Sequence, residues 1–223
     1  MKKIIASLFV LSILFVGCEK DITTEDVSVI TNFVTFELEG ESQMTVAKGE
    51  TYEEPGYTAF EGEDDVTAQV QISGNVDTDT PGVYTLTYSA ENQDGFSAGT
   101  SRTVVVYDPA APAIDLSGTY AGQREGSSGG PVTITTVAPG IFFVSDMFGG
   151  YYEVVAGYGS AYRLRSYIMI NADNTIVGLK TDSPWGPWDI RNGVYNPTSE
   201  TISHRVFLVP SNFGYNVTLT KQQ

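Results

Sequence analysis

His204 is the only histidine of the 223-residue chain and Cys18 its only cysteine. Zinc sites of the His–Cys kind and Cys–His catalysis therefore lack parts. A Ser–His–Asp triad would have to use His204. That residue lies in Thr201-Ile202-Ser203-His204-Arg205-Val206, a plain strand pattern, and no nucleophile elbow occurs anywhere. Paired carboxylates for glycoside hydrolysis would have to come together in space. The second half offers only Asp115, Glu125, Asp146, Glu153, Asp173, Asp182, Asp189 and Glu200 for this. The glycine- and serine-rich run from Gly122 to Gly130 lacks the lysine of a phosphate loop and reads as a flexible loop. Glu61, Glu63, Asp64 and Asp65, with Glu53 and Glu54 nearby, are hard oxygen ligands of the kind that hold calcium, but their spacing is not that of an EF-hand. The reading assigns no catalytic residue, no metal ligand and no cofactor, and expects a protein that is not an enzyme.

Aromatic residues are the more informative chemistry. The second half holds 15 of the 26 aromatics, including both tryptophans. Ser183-Pro184-Trp185-Gly186-Pro187-Trp188 sets Trp185 and Trp188 in a loop stiffened by proline and glycine, and Phe148-Gly149-Gly150-Tyr151-Tyr152 makes a second aromatic loop. Rigid aromatics lose little entropy when they bind, and their flat faces suit sugar rings. Trp185, Trp188, Tyr151 and Tyr152 are thus the candidate ligand-binding residues. The competing reading is that the tryptophans plug or line a small β domain. Asn216-Val217-Thr218 is a formal glycosylation sequon, taken as chance.

The amino terminus decides location. Lys2 and Lys3 precede an apolar run from Ile4 to Val16, too short to span a bilayer, which takes about 20 residues. A positive start, a short apolar core and a small residue at the cut describe a secretory signal. Phe15-Val16-Gly17-Cys18 resembles the lipobox of bacterial lipoproteins, with Phe15 where Leu is usual. The resemblance implies a signal peptide over 1–17 and a lipid on Cys18. Glu19-Lys20-Asp21 is similar to the tract that sends Bacteroidetes lipoproteins to the outer leaflet. The expected location is the outer membrane, lipid-anchored and exposed at the cell surface. Two or more acyl chains hold a protein stably where one is marginal. A lipid on the only cysteine leaves none for a disulfide, so packing alone must hold the fold.

Charge divides the chain. Residues 18–113 carry 3 basic and 19 acidic side chains, and residues 114–223 carry 7 and 8. Nucleic acid needs a basic footprint and is excluded as a partner. Anionic head groups are equally unsuited to the first half. The composition changes at Tyr107-Asp108-Pro109-Ala110-Ala111-Pro112-Ala113, which reads as a stiff, extended spacer. The expected organisation is a tether over 18–32, a first domain over 33–108, a linker over 109–113 and a second domain over 114–223.

Both halves read as β. Tyr84, Leu86, Tyr88 and Ala90 alternate with Thr85, Thr87 and Ser89, giving one buried and one wet face. Arg102 to Tyr107 is a strand apolar on both faces. Lys48-Gly49-Glu50-Thr51-Tyr52-Glu53-Glu54-Pro55-Gly56-Tyr57, Asp64-Asp65-Val66-Thr67, the stretch from Gly74 through Pro81-Gly82-Val83-Tyr84 to Tyr88, and Arg102-Thr103-Val104-Val105-Val106 resemble, in order, the motifs of bacterial Ig-like domains of the crystal-toxin and HYR-related type. The resemblance implies an Ig-like β-sandwich and no activity.

After it, strands are expected at 132–137, 141–145, 151–156, 162–171, 175–181, 188–195, 201–209 and 215–220. An opening strand precedes them, making about nine with no helix. Ser117-Gly118-Thr119-Tyr120 is similar to the start of calycin-type barrels, and the whole resembles the C-terminal domain of Bacteroidetes surface lipoproteins. The fold class is therefore all-β: an N-terminal Ig-like sandwich followed by a C-terminal antiparallel, calycin-like barrel. The function expected is that of a carbohydrate-binding accessory of a nutrient-uptake system, with a glycan as partner and the membrane reached through the lipid. The alternative is a structural or adhesive protein that contacts another surface protein.

Overall fold

The structure, a computed structural model, describes residues 30–223. The expected signal segment 1–17, the Cys18 expected to carry a lipid and most of the expected tether lie outside the described residues. The strands are β1 (Val34–Leu38), β2 (Gln43–Ala47), β3 (Tyr57–Glu61), β4 (Asp64–Asp65), β5 (Gln71–Ser73), β6 (Gly82–Glu91), β7 (Ser97–Tyr107), β8 (Gly118–Arg124), β9 (Pro131–Ala138), β10 (Ile141–Val144), β11 (Arg165–Ile170), β12 (Thr175–Asp182), β13 (Asp189–Asn196), β14 (Thr201–Leu208) and β15 (Phe213–Lys221).

The first seven strands make two sheets, β1-β3-β4 and β2-β7-β6-β5, with β2 parallel to β7. The period-two face of β6 turns inward as expected: Leu86, Tyr88 and Ala90 are buried. Tyr84 donates its hydroxyl to the Thr80 carbonyl at 2.8 Å, which ties the Pro81-Gly82 turn to the strand it feeds. The core is divided. Val34, Ala59, Val66 and Ala90 form one cluster and Val46, Val104 and Val106 another.

Arg102 is fully buried in this sandwich. Its guanidinium donates to the carbonyls of Glu41, Glu39 (2.8 Å) and Gly56 (3.2 Å), and its Nε to Glu54 at 3.1 Å. Tyr52 donates to the other Glu54 oxygen at 2.5 Å. Burial, together with the bond and negative charge of Glu54, pushes the Tyr52 phenol above its ordinary range. The Tyr52…Gly56 motif of the Ig-like resemblance thus supplies two of the acceptors of Arg102, Glu54 and the Gly56 carbonyl.

The remaining eight strands run up and down and close: β15 pairs with β8, and the barrel order is β8 to β15 without a crossover. Closure removes the sheet edges. Nineteen buried residues, from Leu116 and Tyr120 through Ile168 and Trp188 to Leu219, form one continuous core.

Four expectations change. The strand foreseen at 151–156 is a π-helical turn, Tyr151–Val155, so the barrel has eight strands. Its β-prone residues lose to the preceding Gly149 and Gly150, which reverse the chain at φ +69° and +75°. Strand β11 starts at Arg165 because Ser160–Tyr162 is a 3-10 turn. The spacer is not extended throughout: Ala111 N–H donates to the Asp108 carbonyl at 3.0 Å, with Pro109 at the second turn position. The run from Gly122 to Gly130 is not a free loop either. Gly122 lies in β8, and a Cβ on Gly129 would stand 2.1 Å from the Gly149 carbonyl oxygen.

The apolar second face of β7 has a use. Val105 points away from the sandwich core and is buried with Ala138 and Ile141 of the barrel wall, flanked by Val83, Tyr107, Met169 and Leu179.

Candidate functional site

The site is the barrel end over which the chain from Asp146 to Leu164 folds. Asp146 is fully buried. Its Oδ1 accepts the N–H groups of Phe148 (2.9 Å) and Leu164 (3.0 Å), and its Oδ2 accepts that of Gly150 (3.0 Å). Burial pushes its carboxyl up, against the pull of these three donors. Met147 N–H donates to the Leu164 carbonyl at 2.8 Å and closes the loop at its base. Met147 and Phe148 are thereby driven, fully buried, into the barrel end. Glu153 and Arg163 brace the loop with two bonds of 2.5 and 2.6 Å. The glycines follow from this packing, because Gly149 and Gly150 lie against the backbones of Gly122, Gly129 and Gly130 with no room for a side chain.

His204 belongs to the same assembly. Its Nε2–H donates to the Met147 carbonyl at 2.8 Å, and burial lowers its pKa to about 4, so it is neutral. With Nε2 committed to a backbone carbonyl, the ring ties β14 to the plug. No three His, Cys, Asp or Glu side chains gather as metal ligands among the described residues. The acidic stretch of the sandwich is internally engaged: Glu61 accepts the Gln93 N–H at 3.2 Å, Asp65 that of Thr67 at 2.9 Å, and Glu54 holds Arg102.

The aromatic loops converge above Phe148. Its ring lies 4.9 Å from Trp188, 5.0 Å from Tyr152 and 5.7 Å from Trp185, centroid to centroid. Trp185 meets Tyr152 at 4.6 Å and Tyr162 at 5.2 Å. Tyr158 continues the patch against Tyr152 and Tyr162. The two tryptophans separate by burial: Trp188 is 4% exposed and part of the barrel core, whereas Trp185 is 36% and Tyr158 56% exposed. Trp185 is held out by its own loop, in which its N–H donates to Ser183 Oγ at 3.2 Å and the same hydroxyl donates to the Gly186 carbonyl at 3.0 Å.

Tyr151 stands on the other flank. The Arg124 guanidinium lies between Tyr151 (4.2 Å) and Tyr215 (4.0 Å). Gln123, Arg124, Glu125, Asn216 and Thr218 line a polar groove beside it. The four sequence-selected aromatics therefore cluster at one barrel end. Phe148, Tyr158, Tyr162 and Arg124 join them from positions that local pattern did not single out as ligand residues. The arrangement offers flat apolar faces next to amide, hydroxyl and guanidinium groups.

The family of bacterial surface protein Ig-like domains matches residues 36–106, and a second family, defined on a C-terminal domain, matches residues 109–221. Among solved structures the chain is similar to the lipoprotein BT2262 from Bacteroides thetaiotaomicron, at 35% identity over 85% of this chain and 100% of that chain, with a TM-score of 0.45. A structure of the M60 catalytic domain with two CBM51 domains from Clostridium perfringens ZmpB matches at 17% identity over 80% of this chain and 15% of that one, TM-score 0.31. CBM51-2 in complex with GlcNAc and INT domains of the same protein matches at 15% identity, over 84% and 43%, TM-score 0.29. Those two likenesses carry no argument about ligand. No curated protein matches.

Proposed function

From the premise that this chain belongs to the family of the Bacteroides thetaiotaomicron lipoprotein BT2262, we propose that it is a lipid-anchored outer-membrane protein whose barrel end binds a glycan at the cell surface without turning it over. The family is one of bacterial surface lipoproteins carrying an Ig-like domain. The observation that supports binding is the partly exposed Trp185 ring, braced by Tyr152, Tyr162 and Phe148, with a polar groove on the Tyr151 flank of the same barrel end. Apolar sugar faces stack on such a ring while the hydroxyls reach amides and carboxylates. Rigid aromatics concentrate binding energy in a few residues.

A second reading, contact with another surface protein, draws on Val154 and Val155, which are exposed on the turn next to Tyr158. Calorimetric titration of residues 19–223 against a panel of neutral and acidic polysaccharides separates the two. Saturable binding that Trp185→Ala and Tyr152→Ala each weaken, with unchanged circular dichroism, supports the glycan reading. A blank panel sinks it and leaves the protein contact.

A further inference from the structure

A cleft lies between the sandwich and the barrel wall. Two register rows face each other there. On the sandwich, Gln43, Thr103 and Thr85 sit side by side across β2, β7 and β6. On the barrel, Phe143, Tyr167 and Lys180 sit side by side across β10, β11 and β12. The rows are tied at two points: Tyr167 Oη donates to Gln43 Oε1 at 2.5 Å, and Lys180 Nζ donates to Thr85 Oγ1 at 2.7 Å. Behind them the Val105 cluster seals the cleft. In front it opens into a cavity of about 400 Å³ lined by Thr103, Phe143, Arg165, Tyr167, Lys180 and Asp182, with Thr181.

The lining is unusual for this chain, which has 27 acidic and only 12 basic side chains before histidine is counted. Two cations stand on neighbouring strands, and neither forms an ion pair among the described residues. Arg165 gives one N–H to the Ser160 carbonyl at 3.3 Å, and Lys180 gives one to Thr85. Both side chains line the cleft. Asp182 lies opposite Arg165 in the strand register without pairing with it. Phe143 and Tyr167, 5.2 Å apart, supply an apolar wall beside the charges. Concave sites with an aromatic wall and a few convergent polar groups, at the junction of two modules, are where small ligands bind.

We infer that this cleft binds a carboxylated sugar, a uronic-acid residue. Its carboxylate is received by Arg165 and Lys180, its ring face by Phe143 and Tyr167, and its hydroxyls by Thr103, Thr181 and Asp182. The inference goes beyond the aromatic end and does not depend on it.

The test is calorimetric titration of residues 19–223 with a galacturonic-acid trimer, the neutral galactose trimer and benzoate. The acidic trimer binds saturably, and more weakly at high salt, while the neutral trimer and benzoate do not bind. Arg165→Gln and Lys180→Gln each weaken binding roughly tenfold to a hundredfold, the loss of one charge-assisted hydrogen bond. Should Lys180→Gln disturb the fold through the lost Thr85 bond, Arg165→Gln decides, because Arg165 makes no contact with the sandwich among the described hydrogen bonds. The inference is overturned by three results: no binding of the acidic trimer, equal binding of benzoate, or binding that survives Arg165→Gln and disappears in Trp185→Ala.

Discussion

The sandwich and the barrel each bury one charge completely, and of opposite sign. Arg102 donates to three backbone carbonyls, and Asp146 accepts three backbone N–H groups. Both bond main-chain groups, which are costly to bury unpaired. The difference lies in what surrounds them. The sandwich has two small clusters of valine and alanine, and Arg102 joins the chain segments around Glu39, Glu41 and Gly56 between them. The barrel has one large core that needs no clamp. Its buried charge shapes a plug instead, and the plug carries the aromatic surface. The same device supplies stability in one module and positions a site in the other.

The largest expected effect breaks the clamp. Arg102→Met removes one donor from each of three carbonyls and from the Glu54 carboxylate, and removal of one partner from a buried charged pair costs about 3–5 kcal/mol. Both tryptophans belong to the barrel half, so tryptophan fluorescence reports the barrel while circular dichroism reports both modules. In urea, the variant's circular-dichroism transition moves to lower concentration and its fluorescence transition stays. If the two transitions move together, the modules unfold as one and the division of labour fails.

Next in size is a pH effect on the plug. His204 takes up a proton near pH 6.5 in the unfolded chain but only near about 4 in the folded one. The unfolded state therefore binds more protons between those values, and stability falls as pH falls from about 6.5 to about 4. A difference of that size corresponds to about 3 kcal/mol. His204→Gln keeps a donor for the Met147 carbonyl and removes the titration. Urea midpoints at pH 7 and pH 4.5 should lie closer together in the variant than in the parent. Equal separation would show that the histidine is not the group responsible.

Asp146→Asn follows at about 2 kcal/mol, the cost of one lost charge-assisted bond. An amide oxygen can still take the Phe148 and Leu164 N–H groups, whereas its NH2 would face the N–H of Gly150. The plug loosens at the Gly149-Gly150 reversal, so the emission of Trp185 and Trp188 shifts to the red before global unfolding. An unchanged spectrum with unchanged stability would remove Asp146 from the account.

The strands, the all-β class and the closed barrel were legible because they rest on local period two and on turn residues every few positions. The two aromatic loops were also legible, but their convergence on Phe148 was not, because it depends on the plug. The plug was not. Tyr151-Tyr152-Glu153-Val154-Val155 has strand propensity, and only the packing of Gly149 and Gly150 on Gly122, Gly129 and Gly130 explains the π turn. The paired glycines of the two segments are the one signal that pointed to it. Trp185 and Trp188 look alike in sequence, yet one is core and the other surface. That distinction lies in the packing: Trp188 enters the barrel core against Phe148 and Tyr215, whereas Trp185 stays in the loop. Arg102 was hidden because a charge at the head of a valine strand gives no sign of acceptors 46 to 63 positions away.

The smallest effect tests whether the two modules are coupled at all. Tyr167 Oη and Gln43 Oε1 form a single hydrogen bond at the rim of the cleft, in a partly exposed place. Tyr167→Phe keeps the ring against Phe143 and removes only the hydroxyl, at a cost of about 1 kcal/mol. Gln43→Ala removes the acceptor. In a double-mutant cycle read from urea unfolding, the two losses should not add, because the second substitution removes a bond already broken. Additive losses would mean that the rim contributes nothing to docking and that the apolar contact at Val105 holds the modules together. The comparison would then sharpen into one between two self-sufficient cores joined by a hydrophobic seam.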